Sequence, residues 1–269
     1  MQNRTSTFVK MSNIIDEIEI LAPLNLADSN DNVGLLVGRK DEFVSKILIA
    51  LDALDEVIDE AVSIGANAII THHPIIRDSL NRINDDTPLG RRLLRLIENK
   101  ISLYSAHTNL DQTEGGINDI LFDIFDLRNK EFICEGKPGV FAGRAGLLCE
   151  EMPLVDFARF VKEKLDLHSA IYCGESSAKV HKVGVIGGGS ANLSFFEKAV
   201  TAGCDTYVTS DIKLSNARVA LDIGLNLVDA THYGSEVIFA THLKNYLQSK
   251  FNNLEIFVSK INGQPFKKA

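Results

Sequence analysis

The sequence lacks an apolar run long enough to cross a membrane. No part of its 269 residues approaches the ~20 continuous apolar residues that a membrane-spanning helix needs. An apolar segment near the N-terminus, Ile14–Leu21, is interrupted by acidic residues, so it is not the core of a signal peptide. We therefore expect no association with a membrane.

Cysteine is scarce, and its spacing argues against a disulfide framework. The chain has four cysteines, which are far apart and form no Cys-x-x-Cys pair: Cys134, Cys149, Cys173 and Cys204. Dispersed cysteines of this kind are typical of reduced structural thiols in a cytosolic protein. We therefore predict a cytoplasmic location.

Positive charge is also in short supply. The chain carries 28 Lys and Arg against 36 Asp and Glu, which gives a net charge of -8. A broad basic surface for nucleic acid is therefore not expected, although a local basic groove stays open. The 45% hydrophobic content is that of an ordinary globular protein, and the length suffices for one large or two small domains.

Two adjacent histidines follow a short apolar segment. The run Ala68–Thr71 comes after a helical pattern, and Pro74 follows soon after it, which is typical of a buried parallel strand. In open α/β sheets, ligands bind at the carboxyl ends of such strands, where His72 and His73 lie. Paired imidazoles are good ligands for zinc, manganese, iron or cobalt. The alternative is a strand-end histidine that bonds a backbone carbonyl.

Alternating strand and helix patterns predict an α/β fold around this strand. Further inner strands are predicted at 47–51, 101–106, 180–186, 206–209 and 225–230, and a helix is predicted at 234–250. An amphipathic helix with apolar positions from Leu54 to Val62 is closed by Gly65. Polar residues follow several strands, as at His107, Ser210-Asp211 and His232.

The chain contains an internal similarity that predicts two related halves. Residues 61–71 resemble residues 199–209, since each segment has Ala-Val, then Gly, then a strand that ends in Thr. A charged segment at 129–138 with Gly136 and Pro138 predicts a domain boundary. We predict a first α/β domain at 1–128 plus 231–269, which carries most metal ligands, and a second at 129–230.

Histidines and carboxylates near the strand ends form a mixed set of candidate metal ligands. Together these strand ends offer a set of three histidines and two carboxylates, and the candidates are His72-His73, His107 through Asp111, Ser210-Asp211, and His232 with Glu236. Such a set is too large for one tetrahedral ion and suits two ions bridged by a carboxylate, for which Glu236 is the natural candidate. His232 and Glu236 are four residues apart and share a helix face. Alone, that pair could be a cap or a surface pair, and Asp111 an Asx-turn residue.

Five motifs together resemble the Nif-three-like family, whose members are also called type 2 GTP cyclohydrolase I homologs. The motifs are Asp31-Asn-Val-Gly-Leu, Thr71-His-His-Pro, Ser105-Ala-His-Thr-Asn-Leu-Asp111, Ser210-Asp-Ile-Lys213 and Asp229-Ala-Thr-His-Tyr-Gly-Ser-Glu236. The resemblance extends from near residue 23 to Pro265-Phe266. It implies two intertwined α/β halves with mixed sheets, and a toroidal homohexamer with dinuclear sites that face an inner cavity.

The resemblance also implies roles for individual residues. The ligands of two divalent cations would be His72, His73, Asp111, His232 and Glu236. His107 would lie beside the metals, where it would support a ligand or transfer a proton. The sequence departs from the family pattern at Asn30 (often Trp), at Arg77 (often aromatic) and at Ser210-Asp-Ile-Lys-Leu-Ser215, which lacks a histidine.

The predicted function is metal-dependent hydrolysis of a nucleotide. Two bound cations would lower the pKa of a bridging water and polarise the substrate, and His107 would act as the catalytic proton carrier. The family name implies GTP as the substrate, with opening of the purine ring. The alternative is a ring-shaped binding protein for nucleic acid or a protein partner, with structural metals. The Gly187-Gly-Gly-Ser190 segment is a tight turn or a contact for a nucleotide phosphate.

Overall fold

The histidine-bearing strand forms at Ala68–Thr71, as predicted, inside a mixed sheet. This computed structural model describes residues 8–137 and 140–267. The described strands are β1 Val9–Lys10, β2 Gly34–Val37, β3 Phe43–Val44, β4 Lys46–Ala50, β5 Ala68–Thr71, β6 Ser102–Ser105, β7 Arg128–Lys137, β8 Val140–Pro153, β9 Ile171–Cys173, β10 Lys179–Val185, β11 Thr206–Thr209, β12 Asn226–Asp229 and β13 Glu255–Val258. The described α-helices are α1 Met11–Leu21, α2 Asp55–Ile64, α3 Pro88–Glu98, α4 Thr108–Gln112, α5 Ile117–Ile124, α6 Leu154–Lys164, α7 Leu193–Thr201, α8 Leu214–Asp222, α9 His232–Glu236 and α10 Phe239–Lys250.

The described chain divides into two units, and one is inserted into the other along the sequence. Unit 1 contains the chain as far as Leu110 and the later segment Phe239–Pro265, and unit 2 contains Asp111–Ile238. These boundaries differ from the predicted ones at 128 and 230. The reason is packing, because α5 lies against β8 and β10, and the Gly188 amide donates to Ser235 Oγ at 3.0 Å.

The sheet of unit 1 has the order β13-β4-β5-β6-β2. The first four strands are parallel neighbours, and β2 pairs antiparallel with β6. The inner strands β4 and β5 are mostly apolar, as is typical of strands that are covered on both faces. Leu48, Ile69 and Leu103 of the sheet share a core with Ile58 of α2 and Leu96 of α3.

The sheet of unit 2 has the order β7-β8-β10-β11-β12-β9. The strands β10, β11 and β12 are parallel, and the flanking strands are antiparallel. The charged segment predicted as a boundary is mostly β7, an edge strand in which Ile133 is buried while Lys130 and Glu131 are exposed. Charged residues are common on edge strands because they discourage pairing with another chain. Pro138, the other boundary signal, lies outside the described residues.

The predicted internal duplication is present in both sheets. The series β4-β5-β6-β2 in unit 1 and β10-β11-β12-β9 in unit 2 have three parallel strands and then one antiparallel strand. The closing glycines Gly65 and Gly203 both adopt positive φ, at 69° and 80°. Equivalent backbone bonds recur, since the Ala106 amide donates to the Thr71 carbonyl and the Ala230 amide to Thr209. In each half, the carboxyl ends of the parallel strands therefore lie side by side at the same end of that half's own sheet.

The helix predicted at 234–250 is divided into two. The short helix α9 is His232–Glu236, and the longer helix α10 is Phe239–Lys250. The interruption falls at Val237 and Ile238, where the chain leaves unit 2 and re-enters unit 1. An apolar pattern cannot reveal this interruption, because α9 contains no hydrophobic side chain apart from Tyr233.

Candidate metal centre

Three histidines lie at the carboxyl edge of the unit 1 sheet. His72 and His73 follow β5, and His107 follows the neighbouring strand β6 with one residue between. One potential ligand nitrogen from each of the three lies within 4.8 Å of the other two. His107, predicted to lie beside the metals, is therefore as close to the histidine pair as a ligand would be.

The hydrogen bond of His72 determines which ring nitrogen can bind a metal. Its ring is fully buried, and Nδ1 lies 2.8 Å from the carbonyl oxygen of Ala106. A carbonyl only accepts, so Nδ1 carries the proton, and in the neutral imidazole the lone pair is then on Nε2. The alternative of a histidine that bonds a backbone carbonyl is correct for Nδ1, and it leaves Nε2 with the electron pair that a metal requires.

Carboxylates hold the other two of these three histidines. Nδ1 of His73 lies 2.8 Å from Oδ1 of Asp52, and Nδ1 of His107 lies 2.9 Å from both carboxylate oxygens of Asp31. Metal-binding histidines commonly donate their second ring nitrogen to a carboxylate in this way, which fixes the tautomer and raises ligand basicity. Both Nε2 atoms are thereby set up as electron-pair donors.

Asp31 is strongly held in its ionised form. Burial raises its pKa, but hydrogen bonds from the His107 ring and from the Thr108 hydroxyl and amide outweigh burial and lower the pKa to about 2. Only 8% of its side chain is exposed. Asp31 is thus ionised at neutral pH, and its carboxylate is the hydrogen-bond partner of Nδ1 of His107.

In unit 2, His232 lies between two carboxylates. Nδ1 is 2.8 Å from Oδ2 of Asp211, and Nε2 is 3.1 Å from Oε2 of Glu236. The hydrogen bond to Glu236 raises the pKa of His232 to about 9 against the opposing effect of burial. Glu236 is 4% exposed and Thr231 caps the helix, so the pair is neither a surface pair nor a cap. A proton shared by a histidine and a buried carboxylate occupies a position that a cation can take.

Asp111 is the remaining predicted ligand, and it lies in α4 of the described chain. It is the first residue of unit 2, and its carbonyl accepts a hydrogen bond of 2.8 Å from Asn118. The Asn118 side-chain oxygen in turn accepts from the Gly187 amide at 3.0 Å. The Asn118 side chain therefore joins the backbone at Asp111 to the loop after β10.

Sequence reasoning missed the three carboxylates that orient the histidines. They are Asp31, Asp52 and Asp211. Asp31 and Asp211 belong to the motifs quoted above, and Asp52 directly follows the predicted strand 47–51. Their places in the motifs and at the strand end were the sequence signals that could have identified them. The donor set of imidazole nitrogens and carboxylates suits zinc, manganese, iron or cobalt, so the residues present fit a divalent cation.

Asp31→Asn is expected to reduce the acid sensitivity of the fold. The folded pKa of about 2 lies below the reference value of 3.8, so Asp31 contributes stability above pH 3.8 that is lost as pH falls towards 2. The difference in unfolding free energy between wild type and variant should therefore shrink by about 1–2 kcal/mol between about pH 5 and pH 2.5. Urea unfolding across this range measures the change. Asp78→Asn, an exposed substitution, is the control, and parallel curves for wild type and Asp31→Asn would contradict the assignment.

Comparison with known proteins identifies the family. The profile of the family described as Duf34/NIF3 (NGG1p interacting factor 3) matches residues 9–265. The chain belongs to this family. A relative called "GTP cyclohydrolase 1 type 2 homolog" from Clostridium perfringens is 36% identical over 265 residues, which covers 96% of this chain and 99% of that protein. A relative of the same name from Methanocaldococcus jannaschii is 33% identical, covering 92% of this chain and 98% of that protein.

Solved structures of Duf34/NIF3 proteins have the same fold. The "Bacillus cereus protein related to NIF3" superposes with a TM-score of 0.89 at 26% identity, covering 98% of this chain and 100% of that one. "Reduced HcgD from Methanocaldococcus jannaschii" superposes with a TM-score of 0.82 at 32% identity, covering 94% and 99%. The family resemblance and the predicted α/β fold are both confirmed. Within the described part of this Duf34/NIF3 chain, no helix is long and apolar enough to cross a membrane.

Proposed function

We propose that this Duf34/NIF3 protein is a dinuclear metal-dependent hydrolase that acts on a nucleotide. Its ligands would be His72, His73, Asp111, His232 and Glu236. When bound, two divalent cations would lower the pKa of a water molecule and polarise the substrate. This ligand set suits zinc, manganese, iron or cobalt, and the availability of each metal would decide which one is bound.

The orientation of the histidines carries this proposal. Each of the four has Nδ1 against an oxygen acceptor: Ala106 for His72, Asp52 for His73, Asp31 for His107 and Asp211 for His232. Four imidazoles at strand ends, all with Nδ1 engaged in this way, are hard to explain as core packing. They are expected if Nε2 serves as a ligand or a proton carrier.

We assign proton transfer to His107, with Asp31 as the residue that positions it. Asp31 keeps the proton on Nδ1, so Nε2 can accept a proton from a water molecule and later return it to the leaving group. The carboxylate also stabilises the imidazolium that forms in between, as the aspartate of a catalytic triad does. The two residues together would therefore supply general acid and base catalysis.

A purine nucleotide, GTP, is the proposed substrate. Support comes from the name "GTP cyclohydrolase 1 type 2 homolog" that the similar proteins bear. In this reaction water adds to the purine ring and a ring C–N bond breaks, so the opened product contains the elements of one more water. We also propose that the protein works in the cytoplasm as a ring-shaped homohexamer, as the family resemblance implies.

His107→Ala is expected to keep the metal and lose turnover. The wild type should open the purine ring of GTP with added metal and not with chelator, which mass spectrometry of the nucleotide detects. The variant should bind the same amount of metal and turn over about 10²–10⁴-fold more slowly, because a positioned general base contributes that much.

His168→Ala, which removes an exposed histidine, is the matched control and should behave as wild type. Full activity in His107→Ala would remove the proton-transfer role, and loss of metal would make His107 a ligand. A wild type that holds metal but turns over no nucleotide would favour the binding protein with structural metals.

A further inference from the structure

The glycine loop after β10 has no role in the function proposed so far. It consists of Gly187, Gly188, Gly189 and Ser190 and resembles a phosphate-binding turn in sequence. Three of its four amides, however, are already used within the protein. The Gly187 amide donates to Asn118 Oδ1 at 3.0 Å, the Gly188 amide to Ser235 Oγ at 3.0 Å, and the Ser190 amide to Thr209 Oγ1 at 3.2 Å. The loop is therefore poorly suited to bind a phosphate.

The loop is clamped to the end of β11. The carbonyl oxygen of Gly188 accepts hydrogen bonds from the Ser210 amide at 3.1 Å, the Ser210 hydroxyl at 2.6 Å and the Thr209 hydroxyl at 3.2 Å. Ser210 and Thr209 are fully buried. The Ser190 amide also donates to this carbonyl, at 3.1 Å. A backbone segment held by four donors on one carbonyl and by Ser235 on its amide has little freedom to move.

Two glycines of the loop pack closely against two carboxylates. A Cβ atom on Gly188 would lie 2.2 Å from Oε1 of Glu236 and 3.5 Å from Nε2 of His232. A Cβ atom on Gly189 would lie 2.7 Å from Oδ2 of Asp211. These are the two carboxylates that His232 contacts, Glu236 through Nε2 and Asp211 through Nδ1.

We infer that the Gly188-Gly189 backbone is a positioning wall, with Gly188 setting the place of the Glu236 carboxylate and Gly189 that of Asp211. The inference rests on the proposed function, in which Glu236 and His232 are ligands. A Cβ atom at either position would occupy the space of a carboxylate oxygen. Both carboxylates end flexible side chains, so a methyl group would displace them from His232 rather than unfold the protein.

Gly188→Ala is expected to weaken zinc binding by at least about ten-fold, because supports of metal ligands are commonly worth that much or more. Zinc affinity is measured by competition with a chromophoric chelator on the full-length chain. Gly65→Ala is the matched control. Gly65 has φ of 69° against 67° for Gly188, and no heavy atom of the described residues lies within 4 Å of its added Cβ. It therefore carries the same backbone strain without the steric contact.

A second-site variant separates displacement of Glu236 from general damage. Glu236→Asp shortens the carboxylate by one methylene, so combining it with Gly188→Ala should cost less than the two single effects together. Purely additive losses, or equal losses in Gly65→Ala and Gly188→Ala, would overturn the inference.

A metal-independent readout keeps this inference distinct from the proposed function. In the chelator-treated protein, the imidazole ¹⁵N shifts of His232 should change at Nε2 in Gly188→Ala and at Nδ1 in Gly189→Ala. If the variants show these changes but the wild type binds no zinc, the positioning wall is retained and the metal site is rejected. If the variants show unchanged shifts and the wild type does bind zinc, only the positioning wall is rejected.

Discussion

Glu236→Gln is expected to leave the purified protein with well under one equivalent of metal per chain, against about two in the wild type. Glutamine keeps the volume of the side chain and one carbonyl oxygen, but it loses the negative charge that a bridging ligand contributes. Glu236 is only 4% exposed, so solvent cannot replace that charge. Elemental analysis of protein purified without added metal, and again after metal is supplied, measures the loss.

The matched control for this experiment is Glu163→Gln, which makes the same chemical change at an exposed position. It should retain the wild-type metal content. A Glu236→Gln protein with full metal content would contradict the bridging role. A wild type with one equivalent or none, not increased by added metal, would contradict the dinuclear proposal itself.

Arg144→Met is expected to destabilise the fold by about 3–5 kcal/mol, because breaking a buried ion pair by removing one partner is costly. Among the described residues, Asp119 would keep only the half-exposed Lys130, whose Nζ lies 2.9 Å from Oδ1, as a cationic partner. Arg144 is fully buried, and its Nε and Nη2 donate to the two oxygens of Asp119 at 2.8 Å each. It also donates to the carbonyls of Thr113 at 2.9 Å and Gly143 at 3.0 Å. Methionine fills much of the volume but makes none of these bonds. Urea unfolding at neutral pH measures the difference.

Two further variants test the cause of this loss. Arg144→Met combined with Asp119→Asn should be more stable than Arg144→Met alone, since the buried charge is gone while an acceptor for the Gly115 amide remains. Arg159→Met removes an arginine whose side chain is 64% exposed and should cost at most about 1 kcal/mol. Equal effects of Arg144→Met and Arg159→Met would show that the buried pair contributes no special stability.

The local elements of the site could be predicted from sequence. The strand bounds Ala68–Thr71 and the glycine that ends α2 agree with the structure. Both follow from near neighbours in the chain, since an apolar run is compatible with a buried strand and Gly65 accepts a positive φ at little cost. The i, i+4 contact of His232 and Glu236 is equally local, because helix geometry determines it.

The domain boundaries could not be predicted in the same way. A charged segment at 129–138 looked like a linker but is largely the edge strand β7. The helix α5 was assigned to the first domain, yet it packs on β8 and β10. Composition cannot distinguish a charged edge strand from a linker, because both face solvent along much of their length.

By itself, the sequence determined the family, the α/β class with its duplicated halves, and the chemical types of the candidate ligands at the strand ends. Only the tertiary structure decided what holds those candidate ligands and His107. Asp31 contacts His107, from which it is 76 positions away in the sequence, and Asp52 contacts His73, which is 21 positions away. Gly188 lies against Glu236. Such partners are selected by strand order and register in a folded sheet, and neither is encoded by residues that are close together in the chain.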